Sequence, residues 1–104
     1  MRVDAIVKRR VRGVILKLVL QKHERQEHRY DDYTLLAALD RLSFELYLDI
    51  VREILQDMEE RDLIAFEERK NRKTGETAIS KIQLRPRGRD ILEGNATDVA
   101  VEVE

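Results

Sequence analysis

The sequence predicts an α+β fold: three helices, a basic two-stranded β-hairpin, and a short C-terminal helical turn. Three observations carry that prediction. Apolar residues recur at helical spacing through residues 5–20, 35–42 and 44–58. Two short apolar runs, Leu63 to Phe66 and Ala78 to Leu84, flank a tip made of Lys70, Asn71, Arg72, Lys73, Thr74 and Gly75. Gly following a polar residue is a turn signal there, because it takes positive φ at little steric cost. Finally, Pro86 and Gly88 break the second run, and Pro suits the first position of a helix.

The first helix is expected to begin at Asp4, whose carboxylate can accept from free amides of the first turn. Val7, Val11, Val14, Ile15, Leu18 and Val19 form its apolar stripe, with Lys8, Arg9, Arg12 and Lys17 on the other side. Leu16 and Leu20 widen the stripe, so the helix should pack on more than one neighbour. That breadth is the ground for expecting a homodimer. Gly13 lies inside the helix, where it costs about 1 kcal/mol against Ala unless close packing needs it. Residues 23–30 are polar and read as a helix end and a linker. His23 and His28 lie five apart, on different faces of a helix, with no third ligand nearby, and are expected to be solvated.

Asp31 or Asp32 should cap the second helix, with Leu35, Leu36, Leu39 and Leu42 facing inward. Ser43 stands where a turn and a new N-cap would sit. The third helix is expected from Phe44, with Tyr47, Ile50, Val51, Ile54, Leu55 and Met58 as its buried stripe. Its other face carries Glu45, Asp49, Glu53, Gln56 and Glu60, with Arg52 at the margin. In the hairpin, Ile64 and Phe66 on one strand, and Ile82 and Leu84 on the other, should turn one apolar face to a helical layer. A short helix should run from Arg87 to Glu93 and close at Gly94. We expect one domain over residues 1–94. Residues 95–104, NATDVAVEVE, could add an edge strand but read better as a loose acidic tail.

Composition bounds the function. A chain of 104 residues with 39% charged and 42% hydrophobic residues is one small domain with solvated faces. The absence of cysteine excludes disulfides, thiolate nucleophiles and cysteine-based zinc sites. The longest near-apolar run, Val14 to Leu20, contains Lys17 and is far short of the ~20 residues that span a bilayer. The chain reads as cytoplasmic, unprocessed and without a membrane partner. Ser43 and Ser80, the only serines, sit in no nucleophile elbow, and the glycines form no phosphate-cradling loop. The paired carboxylates lie in solvated charge runs. No catalytic residue, cofactor or metal is expected, and the protein is not expected to be an enzyme.

The net charge of −1 conceals segregation. Residues 1–22 carry seven Lys/Arg against one Asp, whereas residues 31–62 carry ten Asp/Glu against three Arg. Residues 63–94 are basic again, with eight Lys/Arg against five acids. Two blocks therefore suit a polyanion and the middle one resists it.

The runs MEERDLIAFEE, at the end of the third helix, and LRPRGRDILEG, after the hairpin, carry a resemblance to winged helix-turn-helix regulators. In that family a similar run ends the recognition helix and enters the hairpin, or wing. A similar L-T-x-x-G-r-x-l-l run leaves the wing. Here Arg85 stands where Thr is frequent, Pro86 follows, and Gly88 matches. The resemblance covers about residues 5–94. The LRPRGRDILEGNA segment and the tail also look like small winged-helix proteins of Mu-like phages. The resemblance implies a winged-helix fold and a DNA-binding transcriptional regulator acting on double-stranded DNA; a homodimer is expected because a single small module has limited area and affinity.

The wing residues expected to meet DNA are Arg69, Lys70, Arg72, Lys73 and Lys81, through phosphates or a minor groove. Lys8, Arg9, Arg10 and Arg12 would supply a second phosphate clamp or extend a dimer's basic surface, and Tyr47 and Arg52 the third-helix contacts. An acidic third helix fits poorly between two phosphate backbones. The alternative is therefore a protein–protein adaptor, phage-derived if the second likeness holds, that binds its partner through Glu45, Asp49 and Glu53.

Overall fold

Helix α1 spans Ala5–Glu24, and the expected Asp4 cap is present, with Val7 N–H donating to Asp4 Oδ1 at 2.9 Å. The computed structural model describes residues 4–103. Helix α2 (Asp32–Arg41) is capped by Asp31, which exchanges hydrogen bonds with Thr34 in a capping box. Helix α3 spans Leu48–Glu60, strands β1 (Ile64–Lys70) and β2 (Thr77–Leu84) follow, and α4 covers Pro86–Leu92 with Pro at its first turn. The described residues thus form an α+β structure of four helices and one two-stranded antiparallel sheet.

Each helix stops by the same device. One residue turns left-handed, and the next N–H reaches back to a carbonyl five residues earlier. The left-handed residues are Gln26, Ser43, Asp62 and Gly94. The closing bonds run from Glu27 to Lys22, Phe44 to Leu39, Leu63 to Met58, and Asn95 to Asp90. Ser43 therefore ends α2 rather than starting α3. This corrects the expected start of the third helix, because residues 44–47 form an irregular link and Tyr47 is the N-cap. Two side chains expected to face inward do not. Leu42, in the αR-like turn after α2, is half exposed, and Tyr47 is 63% exposed. Both lie beyond the helical residues whose period was used to place them.

The core joins Val11, Ile15, Leu16 and Val19 of α1 with Leu35 and Leu39 of α2 and Val51, Ile54, Leu55 and Met58 of α3. Ile64, Ile79 and Ile82 close it from the sheet and Ile91 from α4. Inward positions on β2 lie three apart because the strand carries a bulge: Ala65 pairs with Gln83, whereas Glu67 pairs with Ser80. Lys81 takes φ 54° at this bulge. The Ile82 N–H then leaves the hairpin ladder and donates to the Tyr30 carbonyl at 3.0 Å, tying the α1–α2 linker to β2. This is why Ile79, rather than Leu84, is the second fully buried residue of the strand.

The C-terminal residues correct a second expectation. Residues 95–103 add no strand, but they are not loose. Ala100 and Val101 are buried, the Glu102 N–H donates to the Arg9 carbonyl at 3.1 Å, and Arg12 Nη1 donates to the Ala100 carbonyl at 3.0 Å. Gly13 is required here, since a Cβ would stand inside the Glu102 carbonyl oxygen. Gly88 does the same for the entry to α4, which rests on the Leu63 carbonyl. This C-terminal strap of residues 95–103, together with α3, β2 and α4, packs on α1 and buries Val11, Ile15, Leu16 and Val19, while Val14, Leu18 and Leu20 stay partly exposed.

Candidate nucleic-acid interface

The hairpin outruns the core. Phe66 and Ile79 are its last residues packed on the helices, and residues 67–76 are all exposed. At about 3.3 Å per residue, the end of β1 lies roughly 13 Å beyond Phe66. The tip is held by its own backbone. Asn71 N–H donates to the Glu76 carbonyl and Gly75 N–H to the Asn71 carbonyl, both at 2.8 Å. Asn71 Oδ1 accepts from Lys73 N–H at 2.9 Å and Thr74 N–H at 3.3 Å. An Asn side chain closing a turn in this way leaves the neighbouring long side chains out of the loop's hydrogen bonding.

Arg69, Lys70, Arg72 and Lys73 are the side chains so presented. Among the described residues none of them has a carboxylate within ion-pair distance. Lys81, expected beside them, pairs instead with Glu67 across the ladder at 3.4 Å, both side chains being exposed. An exposed pair of this kind is worth at most about 1 kcal/mol.

The other expected contacts are placed differently. Arg12 has a 13% exposed side chain, with its Nε 3.0 Å from the Asp57 carboxylate. Arg9 is exposed at the start of α1, and Lys8 lies 3.9 Å from Glu53. Arg52 donates from Nε to Asp32 Oδ2 at 2.8 Å and lies over the Tyr33 ring at 5.8 Å. Its guanidinium is raised above its ordinary value chiefly by that hydrogen bond, against burial. Asp32 is 1% exposed and also accepts from the N–H groups of Ile79 and Tyr33. Helix α3 thus keeps its acids exposed at Asp49, Glu53, Glu59 and Glu60, while its one internal cation is drawn inward. Glu45 sits in the link before the helix rather than on its face.

A second basic group, missed in the sequence, joins α1, α3, α4 and the strap. Asp98, with a 6% exposed side chain, accepts from Arg61 at 3.2 Å, Arg87 at 2.9 Å and the Ala100 N–H at 2.8 Å. Arg61 also donates to Asp57 at 2.9 Å, which is the main reason its guanidinium is raised. Burial pushes the Asp98 carboxyl up. The Ala100 N–H and the two guanidiniums outweigh burial and hold it below the usual carboxylate range. No local signal marks this group, because Asp98 lies far along the chain from Arg61.

Among the described residues no three His, Asp or Glu side chains converge as a metal site, and no helix is long and apolar enough to cross a membrane. No protein-family model, curated protein or solved structure matches the chain.

Proposed function

We propose that this chain is a winged-helix DNA-binding protein, a transcriptional regulator in type, that meets duplex DNA mainly through its hairpin tip. The observation that carries this reading is the tip itself. Four cations without carboxylate partners stand on a turn ordered by Asn71 and projected beyond the core. The order of three helices, hairpin and terminal helix supports the winged-helix part, as does the Tyr30–Ile82 bond that lays the α1–α2 linker along the sheet.

The tip's charges stay in solvent until a polyanion displaces counterions, so binding is strongly salt-dependent. If four phosphates are neutralised, affinity falls about 100-fold between roughly 50 and 200 mM salt. Lys70, Arg72 and Lys73 changed together to Glu abolish binding to a mixed-sequence duplex, measured by fluorescence anisotropy. Asp49→Lys with Glu53→Lys leaves binding unchanged or tighter. A wild-type protein that binds no duplex at low salt overturns the reading.

One observation favours a second reading. With Arg52 tied to Asp32, the exposed acids of α3 face solvent without an internal cation among them. An adaptor would use Glu45, Asp49 and Glu53 against a basic protein partner. Under that reading the Asp49/Glu53 reversal, not the tip reversal, destroys the interaction.

A further inference from the structure

A cleft of about 750 Å³ opens on the side of the molecule formed by the end of α1, the α1–α2 linker, β2 and α4. It shares no lining residue with the hairpin tip or with α3. The β2 bulge lies at its edge. There the Tyr30–Ile82 bond seats the linker on the strand, and Gln83 and Leu84 line the open hollow.

The lining has two characters. Half-buried Leu84 supplies apolar surface over the buried Val19 and Ile82, and Arg29 and Arg89 reach it from the linker and from α4. Two acids are also present, Glu24 and Glu27. Glu27 is held by Lys22 at 3.3 Å and by Arg25 at 3.8 Å. Like Arg69 and Arg72 at the tip, Arg29 and Arg89 contact no carboxylate among the described residues, whereas Arg12, Arg52, Arg61, Arg85 and Arg87 all do. Guanidiniums from two separate elements, next to apolar surface in a hollow of small-molecule size, suit an anion with an apolar body.

We propose that this cleft binds a small organic phosphate of mononucleotide size. Arg29 and Arg89 engage the phosphate, and Leu84 lies under the apolar part. The site stands apart from duplex binding and does not depend on it.

The test is a titration of the full chain with AMP, followed by amide chemical shifts. Saturable shifts are expected at His23, Arg29, Gln83 and Arg89. Arg29→Gln with Arg89→Gln, both at exposed positions, weakens binding at least about tenfold with the rest of the spectrum unchanged. Inorganic phosphate binds more weakly than AMP, because it leaves the apolar surface unused. The tip variant Lys70→Glu/Arg72→Glu/Lys73→Glu binds AMP as the wild type does. The proposal is overturned by no shift at about 10 mM AMP, by shifts that centre on Arg69–Lys73, by equal response to phosphate and AMP, or by shifts that survive the double Gln change.

Discussion

The hairpin tip and the strap junction use the same residue type for opposite ends. At the junction, Arg12, Arg61 and Arg87 are each spoken for, by Asp57, by Asp98 and by backbone carbonyls. At the tip, Arg69, Lys70, Arg72 and Lys73 meet no acid among the described residues, and their loop is held by Asn71 instead. Charge count does not separate the two regions. What separates them is whether the fold brings a carboxylate within reach. A cation with a partly buried partner contributes to holding elements together, whereas one without a partner is open to an external anion.

The sharpest way to break this contrast is to remove an internal acid. Asp32→Ala leaves the Arg52 guanidinium and the Ile79 N–H without their partner in a buried setting. We expect a loss of about 3 kcal/mol in urea unfolding. Changing Arg69, Lys70, Arg72 and Lys73 singly to Gln should shift stability by less than about 0.5 kcal/mol each. If the tip changes destabilise as much as the Asp32 change, the division into bound and free cations is wrong.

A smaller effect comes through pH. The folded Asp98 carboxyl lies below its ordinary value of 3.8. Its contribution is therefore full above that value and is lost as pH falls through it toward the lower folded value. Stability against urea should decline over that acid window, and Asp98→Asn should flatten the decline while lowering stability at neutral pH. Amides near the strap, such as Val101 and Glu102, should lose hydrogen-exchange protection in the same variant. An unchanged acid profile in Asp98→Asn would remove the strap's electrostatic role.

A last expected effect is a gain. Ser43 takes φ 70° at the end of α2, a conformation that costs a side-chain-bearing residue roughly 1 kcal/mol. Ser43→Gly should raise stability by about 0.5–1 kcal/mol, read as a higher urea midpoint at the same slope. Because Ser43 contacts neither basic region, duplex binding should not change.

Much of the architecture was legible in the chain. Period and caps located α1, the start of α2, most of α3, both strands, and the Pro86-to-Gly94 turn. The errors fell where local pattern competes with a left-handed stop. Ser43 is a good N-cap by type, yet the backbone uses it to end α2, which moves α3 from Phe44 to Leu48 and exposes Tyr47. The strap was missed because NATDVAVEVE is polar and short. Its order comes from Ala100 and Val101 finding α1 and from Asp98 finding two arginines, contacts of long sequence separation. Of the expected interface residues, the tip cations kept an open position, while Arg12, Arg52 and Lys81 acquired partners that spacing alone does not disclose.

By itself, then, the sequence determined the α+β order, the helix cap at Asp4 and a second cap at Asp31 or Asp32, the position of the basic tip, and the segregation of charge along the chain. These follow from local propensity and from near-neighbour periodicity, which need no knowledge of the rest of the fold. Only the tertiary structure decided which of the tip and junction cations meet an acid, which acids are buried, that Gly13 makes room for the strap, and that a cleft lies beside the β2 bulge at Arg29 and Arg89. Those outcomes depend on which distant groups meet, and desolvation makes such meetings count.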